Sequence, residues 1–447
     1  MRKIQTRDVW IAAVSFTVFF FMFFDNILST APYQAFAGFQ IESQRLVTSR
    51  IALTVAEGPK AKAGFLIDGS EPYLAQYGLQ GRILGIIGRP LYGPAPYIAN
   101  FMRKINFGDL SVTDVVVRCL EALVAATTAA AITGVVYWIY AEFGFVAFLS
   151  AFAAVVVCPA LTVFGRNLYW VPATWFLPMG FSAFWLFYAI KFRWHKAIII
   201  AGLLVGEMFL IYIKSLCGYE YLSTVVIAAG VPVVYYGIKC CWPRRTVLVL
   251  LVSLGVGSIA GFSGALVTHG HQVAVLQHKA SVWDGLDIVV QKAAVRTCGA
   301  DCKQLSGKIL SGYNADEMKL VSTSYFVVLV KYLINFKTGA IPIIPAFVWI
   351  LVLVLATKKL LRQNTPSDTG VAVAAWVSML APMSWYILAK PHSAIHTMMN
   401  YVLWSVPFTV MVAVAAARAW NPDDRLIIGE GWASELRHDT TNEKDHS

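Results

Sequence analysis

Apolar runs of membrane-spanning length recur along this chain, and no other feature narrows its fold so sharply. They fall at 9–24, 115–139, 145–163, 169–190, 197–214, 221–238, 246–266, 340–357, 371–389 and 401–418. About 20 apolar residues cross the ~30 Å hydrocarbon core of a bilayer. Within that core only helices and closed barrels satisfy every backbone polar group, and continuous runs of this length read as helices. The expected fold is therefore an all-α polytopic membrane protein with about ten transmembrane helices. Composition agrees: 58% of the 447 residues are hydrophobic and 14% charged, with a mean hydropathy of +0.63, which excludes an ordinary soluble globular domain.

Charge sets an expected orientation. With the N-terminus inside, the short inner loops hold Lys191, Arg193 and Lys196; Lys239, Arg244 and Arg245; Lys358, Lys359 and Arg362; then Arg418 and Arg425. The short outer loops hold only scattered cations, so the bias follows the positive-inside rule. The same rule accounts for the net charge of +11. No basic stripe with interleaved aromatics is present, so nucleic acid is not an expected partner and the lipid bilayer is. Ala35-Phe-Ala37 resembles a signal cleavage site, but it lies too far beyond Phe24, so an uncleaved first span is expected.

The segments expected are an inner N-terminus (1–8), a first span (9–24), a large first outer loop (25–114), helices two to seven (115–266), a second outer segment (267–338), helices eight to ten (339–418) and an inner tail (419–447). Ser324 to Phe336 is apolar but carries Lys331. If it crossed, Lys358 and Lys359 would land outside, so it is expected to lie on the outer surface. The first loop is too long for a turn and has the composition of folded protein, and a loop of this kind is usually functional. Its centre, Asp68 to Gly81, gathers Glu71, Tyr73, Gln76 and Gln80.

Polar residues sort by side. The outer helix ends carry Asp25; Asp114, Arg118 and Glu121; Gly165-Arg-Asn-Leu-Tyr-Trp170; Lys214; Gly218-Tyr-Glu-Tyr221; His269 and His271; and Lys390, His392, His396 and Asn400. Charged groups near hydrocarbon are costly and tend to mark sites. Bland readings stand beside this one. Asp114, Arg118 and Glu121 have helical spacing and pair with one another. Arg166 with Tyr169 and Trp170 has the composition of an interface anchor. His392 and His396 share a helical face, but two His without a third ligand suit hydrogen bonding better than a metal. Glu207 is isolated and helix-paired, and Gly255, Gly257, Gly261 and Gly264 fit close helix packing better than a phosphate loop. No metalloprotease, serine-hydrolase or nucleotide-binding motif is present. Cys298 and Cys302, in the second outer segment, have spacing compatible with a disulfide.

This layout resembles the GT-C superfamily of integral-membrane glycosyltransferases. The likeness is a short N-terminal tail, one span, a large first outer loop, then many spans, with Asp25 standing just after the first span. The resemblance implies inverting transfer of a sugar from a polyprenyl-phosphate-linked donor to an envelope glycan or lipid acceptor. It places this chemistry on the extracytoplasmic face, with a carboxylate base and no cofactor beyond the donor, and it points to a bacterial inner membrane. Asp25 is the expected base, with Glu71 as its rival. Tyr73, Gln76, Gln80, Asn167, Tyr219 and Glu220 would meet sugar, and Arg166, Lys214, Lys390, His392 and His396 the donor phosphate. The alternative is a transporter or flippase using Asp114, Arg118, Glu121, Glu207 and Lys331 as a polar path. A cavity at the outer end, open towards lipid, favours transfer; one at mid-depth favours transport.

Overall fold

The computed structural model describes residues 6–58, 65–69, 71–105, 109–297 and 323–421. Its elements are α1 (Thr6–Asp25), α2 (Tyr33–Gly38), α3 (Ile41–Glu57), the hairpin β1 (Ile67–Asp68) and β2 (Glu71–Pro72), α4 (Leu79–Leu91) and α5 (Ala95–Lys104). There follow α6 (Val112–Phe143), α7 (Phe145–Val156), α8 (Pro159–Phe164), α9 (Ala173–Lys191), α10 (Lys196–Cys217), α11 (Leu222–Lys239), α12 (Arg244–Leu276) and α13 (Val282–Thr297). The chain closes with α14 (Tyr325–Ile334), the hairpin β3 (Lys337–Thr338) and β4 (Ile341–Pro342), α15 (Ala346–Gln363), α16 (Pro366–Ser378), α17 (Leu380–Leu388) and α18 (Lys390–Ile395). A run of short helical turns over 397–409 leads into α19 (Val410–Trp420).

Eight segments are long and apolar enough to cross a bilayer: α1, α6, α9, α10, α11, α12, the α16–α17 pair (Pro366–Leu388) and the final stretch Thr397–Trp420. Their outward faces confirm the solvent they are built for. On α10 Ile198, Val205 and Phe209 are exposed, and on α12 Leu248, Val252, Val256 and Ile259. Apolar surface of this extent is rare on soluble monomers and is ordinary against lipid tails. The chain is an integral membrane protein. Thr397–Trp420 is the hub, with 94% of its apolar window buried, whereas the corresponding windows of α1 and α10 are 22% buried and face outward.

Two of the ten expected spans differ, each for a local reason. The run at 145–163 is broken between α7 and α8, where Pro159 lacks the amide that would continue the ladder. α15 has the length but ends on Lys358, Lys359 and Arg362, which take it out of the apolar class. α12 runs ten residues beyond the expected end of its span, to Leu276.

Packing within the bundle follows small residues. α12 lies so close to α10 that a Cβ added at Gly257 would sit 2.4 Å from the Leu204 carbonyl, and one at Gly261 2.3 Å from that of Met208. Small residues let membrane helices approach closely, as the glycine spacing suggested. Glu207 is buried in this seam, and Ser258 donates to its Oε1 at 3.3 Å.

Successive helices alternate, so the bundle has two distinct ends. The basic end collects Lys191, Lys196, Lys239, Arg244 and Lys358 at helix termini. Two buried networks tie it together. Glu142 receives Tyr235 Oη at 2.6 Å and Tyr236 Oη at 3.0 Å and pairs with Lys239. Arg418 meets Asp368 at 2.8 Å, and Asp368 also accepts from Thr365. The other end carries α2–α5, folded onto the bundle. Gly88 of α4 faces Leu120 and Val116 of α6, and Phe39 packs edge-on against Phe164 at 4.6 Å. The disulfide expected between Cys298 and Cys302 and the tail beyond residue 421 lie outside the described residues.

Candidate functional site

The loop-bearing end is organised by the stretch 165–170, which links α8 to α9 and ties two polar clusters together. α6 opens beneath the first cluster with a capping box: Ser111 accepts from the Asp114 amide and Asp114 from that of Ser111, so two orphan donors of the first turn are satisfied. Asp114 is therefore committed to the helix start.

One and two turns further along α6 stand Arg118 and Glu121. Arg118 is half exposed and 3.5 Å from Glu121, which is buried. Gln44 of α3 donates to Glu121 Oε1 at 2.8 Å. Arg166 reaches the same carboxylate at 3.8 Å, donates to the Phe24 carbonyl at 2.8 Å and lies 4.1 Å over the Phe36 ring. Burial lowers the Arg166 pKa, and the Glu121 charge opposes that shift. Asp25, the last residue of α1, is exposed and within electrostatic reach of Arg166. The end of α1 is thus pinned from two sides, because the Phe23 ring also fills the space beside Gly165.

The second cluster closes around Glu220. Gln76 donates through Nε2 to Glu220 Oε1 at 2.7 Å and to Tyr169 Oη at 2.5 Å. Gln80 Nε2 donates to the Tyr169 carbonyl at 2.8 Å. Asn167 turns its side chain back on its own stretch, accepting from the amides of Tyr169 and Trp170. The loop reaches this depth because Gly78 starts α4 at φ +72°, with Leu66 packed where a Cβ would be, 2.4 Å away; only glycine takes that conformation without strain. Lys214 is buried and donates to the Gly218 carbonyl at 2.5 Å. Tyr219 Oη and His269 Nδ1 are 2.9 Å apart, and burial raises the Tyr219 pKa well above that of a free phenol.

A third group surrounds α18. Lys390 is buried with its ammonium 4.9 Å over the Tyr325 ring. The rings of His392 and His396 are 4.7 Å apart, and Asn400 Nδ2 is 3.2 Å from His392 Nδ1. Among the described residues, no third His, Cys, Asp or Glu joins this pair in a metal-holding group.

Of the residues singled out in the sequence, Gln76, Gln80, Asn167 and Glu220 converge around Tyr169, with Lys214 and Tyr219 on the adjoining turn. Arg166 joins Glu121 beside Asp25. Lys390, His392 and His396 stand together as a separate group. Glu71 is exposed on the β1–β2 hairpin, and Tyr73 packs into the hairpin through its amide on the Leu66 carbonyl. Tyr169 and Trp170 differ from an interface anchor: each is 6% exposed. Gln44 carries no signal in the sequence, and its position becomes informative only when α3 is packed beside α6 and its side chain meets Glu121.

Beside these groups lies a narrow cleft lined by Cys158, Ile343, Trp349, Tyr401 and Trp404 among others. It occupies the break between α7 and α8, and its rim carries the exposed apolar residues Val157 and Ile344. Comparison with protein-family models, with curated proteins and with solved structures found no match to the chain.

Proposed function

We propose that the chain is a membrane glycosyltransferase of the GT-C kind, with ten crossings and a working end formed by the first loop. It moves a sugar from a polyprenyl-phosphate donor to an envelope glycan or lipid acceptor on the extracytoplasmic face, most simply of a bacterial inner membrane. The ten crossings are the eight long apolar segments together with α7–α8 and α15, which pack against the final helix. The orientation rests on the cations gathered at the opposite end.

The observation that carries the reading is the cluster of Asp25, Arg166, Glu121 and Arg118 at the end of α1. It sets an exposed carboxylate beside the partly buried guanidinium of Arg166 and the half-exposed one of Arg118, on the same end as an apolar cleft. In the proposed reaction Asp25 takes the proton from an acceptor hydroxyl. That oxygen attacks the anomeric carbon from the face opposite the phosphate, the sugar–phosphate bond breaks, and its electron pair leaves on the polyprenyl phosphate. Arg166 and Arg118 stabilise the departing charge, as preorganised cations do. Glu121 and the Phe24 carbonyl hold Arg166 in place, and such positioning governs rate. Lys214 faces Gly218 and has no part in this step.

The alternative polar path through the bundle draws less support. Asp114 is used as a cap and Glu207 bonds Ser258 in the α10–α12 seam. A narrow apolar cleft at the break between α7 and α8 has exposed apolar residues at its rim, which is where a lipid-linked donor would approach.

The test is transfer by purified protein in liposomes, supplied with polyprenyl-phosphate sugars and a lipid extract as acceptor. The expected result is release of polyprenyl phosphate in step with glycosylation, with the new anomeric bond inverted relative to the donor. Donor crossing the bilayer with its sugar still attached would replace this reading with transport.

A further inference from the structure

Two helices of the first loop carry their apolar residues on the outside. α4 packs inward through Gly81, Leu84, Gly85 and Gly88. A Cβ added at Gly81 would sit 2.1 Å from the Phe65 carbonyl, and one at Gly85 2.7 Å from Thr54 Oγ1. α5 turns Ala95 and Ala99 inward. Most of the larger apolar residues point the other way. On α4 these are Ile83, Ile86 and Ile87; on α5 and at its end they are Tyr97, Ile98, Phe101 and Ile105, all between 39% and 79% exposed. Their spacing of three and four residues puts them on one stripe of each helix.

Exposed apolar stripes mark a docking surface, and depth identifies what covers this one. Both helices lie against α6, with Gly88 on Val116 and Leu120. The far end of α6 is held at the basic end of the bundle, where Glu142 pairs with Lys239. Counted from Glu142 at ~1.5 Å per residue, Leu120 and Val116 stand ~33 and ~39 Å along the helix. The hydrocarbon core is ~30 Å thick, and the headgroup regions bring the bilayer to ~40–45 Å. α4 therefore meets α6 at the height of the headgroups. Charge agrees with that height. Arg82, Arg89, Arg103 and Lys104 are exposed, and the stretch 79–105 contains no acid, although Arg103 also meets Asp109 just beyond it. Basic helices with an aliphatic and aromatic face lie in the plane of the interface and are drawn to anionic lipid.

We infer that α4 and α5 dock on the bilayer itself, as a pair of interfacial helices whose apolar stripes enter the leaflet at the loop-bearing end. A protein partner would account for the stripes but not for their depth. The surface anchors the first loop at the height of a lipid headgroup, and it does so whichever reaction the loop performs.

The experiment uses the whole protein, purified and reconstituted in vesicles of phosphatidylglycerol and phosphatidylcholine. The photoreactive residue benzoylphenylalanine replaces Ile86, Tyr97 or Phe101, one at a time. After irradiation, mass spectrometry should find a phospholipid adduct at each position. Its yield should be about fivefold or more above that obtained when Glu71, on the exposed β1–β2 hairpin, is replaced instead. The three side chains are exposed, so the unfolding midpoint should hold, and Ile83 stands in for any position where it does not. A cross-linked second copy in place of the lipid adducts would make this face a dimer interface. Yields no higher than at Glu71 would leave the stripes in water. Either result overturns the inference. Transfer is not measured, so the transferase reading stands or falls separately.

Discussion

Replacing Asp25 by Asn is expected to lower sugar transfer by about 10²–10⁴-fold, the usual worth of a positioned general base. Asn has nearly the same shape and cannot accept the proton. Asp25 is exposed at the end of α1, so the exchange disturbs no packing. It also stands at a helix C-terminus, where a negative charge faces the negative end of the macrodipole. Removing that charge should therefore leave the unfolding temperature unchanged or slightly higher. Lost transfer with undiminished stability is the signature of a chemical role, and a capping or charge-pairing role would show the reverse. Radiolabelled transfer and thermal unfolding of the same preparation check both halves. Near-normal turnover in Asp25→Asn, with loss in Glu71→Gln, would move the base to the β1–β2 hairpin.

The second large effect is on stability, at the opposite end. Asp368 is fully buried, accepts from Thr365 at 2.5 Å and pairs with the buried Arg418 at 2.8 Å. Asp368→Ala leaves that guanidinium without its counter-charge, and breaking a buried pair from one side costs about 3–5 kcal/mol. α16 and α19 meet here, and the final stretch is the hub of the bundle, so the loss should appear as a marked drop in the unfolding midpoint. Joint replacement with Arg418→Met should recover part of it, because a well-packed apolar pair can stand in for a buried ion pair. Transfer per folded molecule should stay unchanged, since none of these residues belongs to the loop-bearing end. An unaltered midpoint in Asp368→Ala would show that the pair contributes nothing.

Much of this fold is legible in the sequence because the bilayer imposes a coarse rule on composition. The eight long apolar segments, the glycines of α12 and the gathering of polar groups at alternate helix ends all follow from it. Local breaks were harder to read. Pro159 sits inside an apolar run that hydropathy alone treats as continuous, and hydropathy places the cations closing α15 in its flank rather than within the helix. The pairings within the site were not legible at all. Gln76 and Glu220 are 144 residues apart, and no pattern in either stretch announces the other. Lys214 and Lys390 looked like free cations for a phosphate, yet one turns onto a backbone carbonyl and the other over an aromatic ring. Glu121, which helical spacing pairs with Arg118, does meet Arg118 at 3.5 Å, but Arg166 also reaches it at 3.8 Å from the stretch between α8 and α9, a contact that spacing does not announce.

A structure of the protein with a non-hydrolysable polyprenyl-phosphate sugar bound in nanodiscs tests the central claim most directly. The donor phosphate is expected at the loop-bearing end, within hydrogen-bonding distance of Arg166 or Arg118, with the anomeric carbon of its sugar facing Asp25. A phosphate bound between α10 and α12 beside Glu207, or at the basic end near Lys239, would contradict it.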